Sequence, residues 1–212
     1  MLVVCIASTV AALGVGWYAG QESLPLFGCS SLFVFAAVSL ILQWIAFIPA
    51  NLNQTETFYD LLGAVTYILL TGAALFLACD AGQLHPRSIV LSVLIFIWAF
   101  RLGHYLFRRV HQVGKDGRFD HIKVDPIHFF MVWTMQGLWV LLTALPALIM
   151  ITLNRDSAPI GPLDYIGWTI WLLGFGVEVV ADKQKARFRA GNSMGTWIDE
   201  GLWNRCQHPN YF

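Results

Sequence analysis

Residues 127–152 read I-H-F-F-M-V-W-T-M-Q-G-L-W-V-L-L-T-A-L-P-A-L-I-M-I-T, without one Asp, Glu, Lys or Arg. The hydrocarbon core of a bilayer takes roughly 20 residues of helix. A run this long and this apolar is therefore expected to span a membrane. Comparable runs lie on both sides of it, at about 2–19, 29–49, 60–79, 88–107 and 163–181. The whole chain is 57% hydrophobic and 12% charged, with a mean hydropathy of +0.62, too apolar for a soluble domain of 212 residues. The expected fold class is all-α, a polytopic transmembrane bundle of about six helices. The first run lacks the basic start of a signal peptide, and Val15-Gly16-Trp17 matches a cleavage site only weakly, so it is read as a retained helix.

The breaks between runs carry turn chemistry. Ser23-Leu24-Pro25 ends the first loop and Pro49 to Asn53 closes the second run. His85-Pro86, Asp125-Pro126 and Pro159 to Pro162 precede the last three. No repeat or low-complexity linker divides the chain, so one compact membrane domain is the simplest arrangement.

A formal net charge of +0 conceals an asymmetry. Arg108, Arg109, Lys115, Arg118 and Lys123 follow the fourth run, and Lys183, Lys185, Arg187, Arg189 and Arg205 follow the sixth. The loops of the opposite side hold Arg87 and Arg155. The positive-inside rule puts both basic loops, and the N-terminus, in the cytoplasm. Orientation and contact with anionic membrane lipids account for part of these clusters. Nucleic acid is not an expected partner, because the cations sit at helix mouths without a nucleic-acid motif. Cys5, Cys29, Cys79 and Cys206 are scattered, and the histidines lack ligand spacing, so neither a metal nor a disulfide framework is expected.

Two charges lie inside apolar runs. Arg101 is in the fourth and Glu178 near the end of the sixth. A charge at the bilayer centre costs at least about 3 kcal/mol, so such residues usually face a polar cavity. Arg101, Tyr105 and Arg108 fall on one helical face, and so do Glu178, Asp182, Lys185 and Arg189 if the sixth helix continues past the membrane. Arg101 is a plausible partner for Glu178. The alternatives stay open: Arg101 snorkels to the headgroups, and the second stripe is a solvated exit laced by ion pairs.

Ordered motifs connect these residues. R-L-G-H-Y-L-F-R-R (101–109) is followed by G-K-D-G-R-F-D (114–120) and Q-G-L-W-V (136–140). E-V-V-A-D-K-Q-K (178–185), D-E-G-L-W (199–203) and H-P-N-Y-F (208–212) complete the series. In this order, over roughly residues 54–212, the chain resembles the membrane steroid 5-alpha reductase superfamily. It is most similar to an uncharacterised branch ending in R-H-P-N-Y-F-G-E. Residues 1–53 are then N-terminal transmembrane helices, and residues 54–212 the reductase-like membrane domain.

The resemblance implies a helical bundle around a lipid-accessible pocket, with NADPH entering from the cytoplasm. It implies hydride transfer to an activated C=C bond of a steroid, sterol or other hydrophobic lipid-like enone. Cations at helix mouths above an apolar bundle suit that pairing of ligands. By motif, the cofactor-binding positions are Arg118, Glu178, Asp182, Lys185, Arg189, His208, Asn210 and Tyr211. Arg101 and Tyr105 match the polar inner wall of the pocket. Glu56 and Asp60, in Q-T-E-T-F-Y-D (54–60), are the nearest candidates for the acid that assists the substrate carbonyl.

The pattern departs from the family at Gln207, where an Arg is usual, and at Trp98, where steroid reductases place a Tyr. Relatives also continue with Gly-Glu and a closing helix, so the chain is expected to be a C-terminally truncated form. Reduction of a lipid alkene is therefore expected more than 5-alpha reduction of a steroid. Isoprenylcysteine and phospholipid methyltransferases share an R-H-P-x-Y ending, which makes an S-adenosylmethionine-dependent membrane methyltransferase one alternative. A non-catalytic truncated membrane protein is another. The expected location is the endoplasmic reticulum of a eukaryote or the inner membrane of a bacterium, in an oligomeric state the residues do not specify.

Overall fold

The computed structural model describes residues 1–113, 117–153, 159–191 and 196–211. Each expected run is a helix: α1 (Leu2–Ala19), α2 (Ser31–Leu52), α3 (Tyr59–Asp80), α4 (Pro86–Val113), α5 (Pro126–Thr152) and α6 (Pro162–Gly191). All six are long and apolar enough to cross a membrane, and the protein is an all-α, multi-pass membrane protein. The chain forms two compact units, Met1–Ala158 and Pro159–Phe212.

Local chemistry sets the helix starts. The Ser30 hydroxyl accepts from Phe33 N at 3.3 Å at the start of α2. Asp125 accepts from Ile127 N at 2.9 Å at the start of α5, with Pro126 in the first turn, where its missing N–H is no loss. α4 and α6 run on past their apolar stretches, through Arg-, Lys- and Ala-containing sequence that favours helix. Between α1 and α2 a hairpin forms from β1 (Pro25–Leu26) and β2 (Cys29–Ser30). It turns through Phe27 and Gly28, both at positive φ, the backbone a two-residue hairpin turn demands. Leu24 N donates to Thr152 O at 2.8 Å, fastening this turn to the end of α5.

In the first unit α5 is central and packs against α1, α2, α3 and α4. Its buried residues include Phe129, Trp133, Val140, Leu141, Ala144 and Leu148. Lipid is as apolar as these side chains, so close backbone approach and interhelical hydrogen bonds supply much of the association. Gly16 supplies such an approach. A Cβ there would lie 2.8 Å from both Leu32 O and Ala36 Cβ. Gly16→Ala is therefore expected to push α1 off α2 at a cost of about 1–3 kcal/mol. Denaturation in detergent micelles measures the loss, and an unchanged unfolding free energy would refute the tight contact.

The polar contacts explain the Q-G-L-W segment physically. Gln136 Nε2 donates to Gln43 Oε1 at 3.1 Å and to Tyr59 O at 2.9 Å. Gln43 Nε2 in turn donates to Thr66 Oγ1 at 3.0 Å. One residue on, Gly137 O accepts from Ser39 Oγ at 2.8 Å. The segment thus joins α2, α3 and α5, while Trp139 lies on the exposed face.

In the second unit, residues 196–211 fold back along the polar end of α6. Short 3-10 turns at Gly201–Asn204 and Pro209–Tyr211 pack on the helix. Gln184 Oε1 accepts from Leu202 N at 3.0 Å, and Trp203 Nε1 donates to Ala181 O at 3.0 Å. These bonds hold the returning segment over the helix face that carries Ala181 and Lys185.

Candidate functional site

The second unit contains a concavity of about 510 Å³, lined by Lys185, Phe188, Arg189, Thr196, Trp197, Ile198, Trp203 and Gln207. That volume falls in the range of small-molecule sites. Lys185 and Arg189 reach it because α6 is one continuous helix through residue 191, which sets Glu178, Asp182, Lys185 and Arg189 on one face. Lys185 Nζ lies 4.4 Å from the centre of the Trp203 ring, in cation–π geometry. Its described lining holds two cations and no carboxylate.

Asp182 shares the stripe but is only 5% exposed and is not among the lining residues. His208 and Tyr211 stack with ring centres 5.3 Å apart, and Pro209 between them is buried. Asn210 Oδ1 is buried without a hydrogen-bond partner among the described residues, an acceptor that a donor-bearing ligand would satisfy. Gln207 lines the concavity.

In the first unit the sequence candidates pair differently. Glu56 accepts from Lys123 Nζ at 2.8 Å, and Asp60 lies 3.5 Å from Arg109 Nη2. Arg101, Tyr105 and Arg108 follow one another along a face of α4. Trp98 packs edge-on against Tyr67 with ring centres 5.0 Å apart. The Tyr67 and Thr143 hydroxyls hydrogen-bond each other. Arg118 lies in the 3-10 turn Gly117–Phe119. Its side chain, and Lys115 altogether, fall outside the described residues. Arg101 and Glu178 belong to different units.

Sequence reasoning did not single out Thr196, Trp197, Ile198, Phe188 or Gln184. Trp197 is 81% exposed, and an exposed tryptophan in a polar, non-periodic stretch is the signal that would have drawn attention to it. Residues 46–212 match the model of a family described as "Protein of unknown function (DUF1295)". No curated protein and no solved structure matches the chain.

Proposed function

The chain belongs to the DUF1295 protein family, and from that premise we propose that it is a membrane-embedded, NADPH-dependent reductase of a C=C bond in a lipid-like enone. On this reading the family is a branch of the steroid 5-alpha reductase superfamily, with its basic loops in the cytoplasm. The observation that carries it is the concavity with two cations, two tryptophans and no carboxylate in its described lining.

The residues suit a dinucleotide. Lys185 and Arg189 would pair with phosphate oxygens, and Trp197 and Trp203 offer flat faces to the bases. When bound, NADPH supplies a hydride for an alkene conjugated to a carbonyl. Arg101 and Tyr105 lie on one face of α4 in the first unit, and the exposed apolar helix surfaces suit a hydrophobic substrate arriving from lipid.

S-adenosylmethionine fits the lining less well, because it offers one carboxylate alongside a cationic sulfonium and ammonium, whereas NADPH brings several phosphate charges to Lys185 and Arg189. Thermal unfolding of the purified chain with each ligand separates the readings. NADPH at one hundred times its Kd is expected to stabilise the protein by about 2.7 kcal/mol, and S-adenosylmethionine to leave it unchanged. The reverse result would favour the methyltransferase, and no response to either a non-catalytic protein. Arg189→Ala should raise the NADPH Kd about tenfold, the scale of one charge-assisted hydrogen bond. Arg189 is exposed, so its fold should be unaffected, whereas Asp182→Ala alters a buried position and is the less clean probe.

A further inference from the structure

We propose that Glu56 is a positioning residue, which clasps the connection between α4 and α5 through Lys123, and that it is not the proton donor of the proposed reduction. The second half rests on the reductase reading; the first stands on geometry alone.

Glu56 lies just before α3, and Lys123 just before α5. Their side chains meet at 2.8 Å, with Glu56 only 3% exposed. The connection reaches this position by burying Phe119, whose ring lies 5.0 Å from that of Tyr59 and 6.2 Å from that of Phe129. Lys123 N donates to Phe119 O at 3.0 Å, so the buried ring and the paired ammonium belong to one turn. Asp120 adds a second carboxylate 4.0 Å from Lys123 Nζ.

A parallel pair, Asp60 with Arg109, ties the end of α4 to the first turn of α3. Both acids of the Q-T-E-T-F-Y-D segment therefore face cations that flank the α4–α5 connection. Glu56 acts in this pair as an acceptor of an ammonium hydrogen bond. The Lys123 ammonium occupies Oε2, so the role this geometry gives the carboxylate is to hold its partner in place. Arg118 sits inside the connection so held, in the turn Gly117–Phe119.

The experiment uses the full chain in lipid nanodiscs and compares Glu56→Gln with the doubly substituted Glu56→Lys/Lys123→Glu, which reverses the pair and leaves no carboxyl at position 56. Amide hydrogen exchange of residues 119–125 and enone-dependent NADPH oxidation are both measured. Glu56→Gln should speed exchange of these amides by on the order of tenfold. The reversed pair should restore protection and keep kcat within about threefold of the native chain. If the reversed pair does not fold, Glu56→Met/Lys123→Met removes both charges and serves the same purpose.

Exchange unchanged in Glu56→Gln would overturn the clasp. Restored protection with kcat abolished would overturn the positioning role and reinstate Glu56 as an acid. A native chain that never oxidises NADPH defeats the reductase reading and with it the statement about the proton donor, while the exchange data still decide the clasp.

Discussion

Lys123→Met is expected to lower the unfolding free energy by about 1.5–3 kcal/mol, since it removes the ammonium from which a buried carboxylate accepts a charge-assisted hydrogen bond. The Glu56 side chain is 2% exposed, so little water can replace the ammonium 2.8 Å away. Lys123 itself is 19% exposed, which places the loss toward the lower end of that range. Lys123→Arg keeps a cation and should retain most of the stability. Replacing both partners with apolar residues should also recover part of it, because no buried charge is then left at position 56. Denaturation in micelles by increasing SDS gives the difference. A loss below about 1 kcal/mol would mean that the pair behaves as a surface ion pair.

Gln136→Leu is the second large expected effect, about 1–3 kcal/mol. The substitution removes the donor to Gln43 Oε1 and to Tyr59 O together. Gln43 is fully buried, so its oxygen cannot turn to water. Interhelical hydrogen bonds in membranes are often worth under about 1 kcal/mol, because the separated helices find other partners. The larger figure here reflects two bonds lost by one substitution, one of them to the side-chain oxygen of the fully buried Gln43. Gln43→Leu/Gln136→Leu should lose less than the sum of the single changes, as expected for coupled residues. Strict additivity in that double-mutant cycle would show that the two amides act independently.

The candidate groove was legible in part. Lys185 and Arg189 could be placed on one face with Asp182 from their spacing, because a helix repeats locally and its period is known. Thr196, Trp197 and Ile198 could not, because they come from a stretch without periodicity that folds back onto the helix. Trp98 shows the same limit. Its place in the fourth apolar run was visible, but its edge-on contact with Tyr67 on α3 was not.

Hydropathy and turn chemistry were enough to specify the six helices, the break at Asp125-Pro126 and the polar stripes that leave α4 and α6. These follow from residues within a few positions of one another, so one chain suffices to read them. Tertiary structure alone decided that the 127–152 run is the central helix of its unit, that Gln136 joins three helices, and that Glu56 meets Lys123 across 67 positions. Each depends on which apolar faces find one another in lipid. Where every helix is apolar nearly all round, packing shape and a few buried polar groups make that choice.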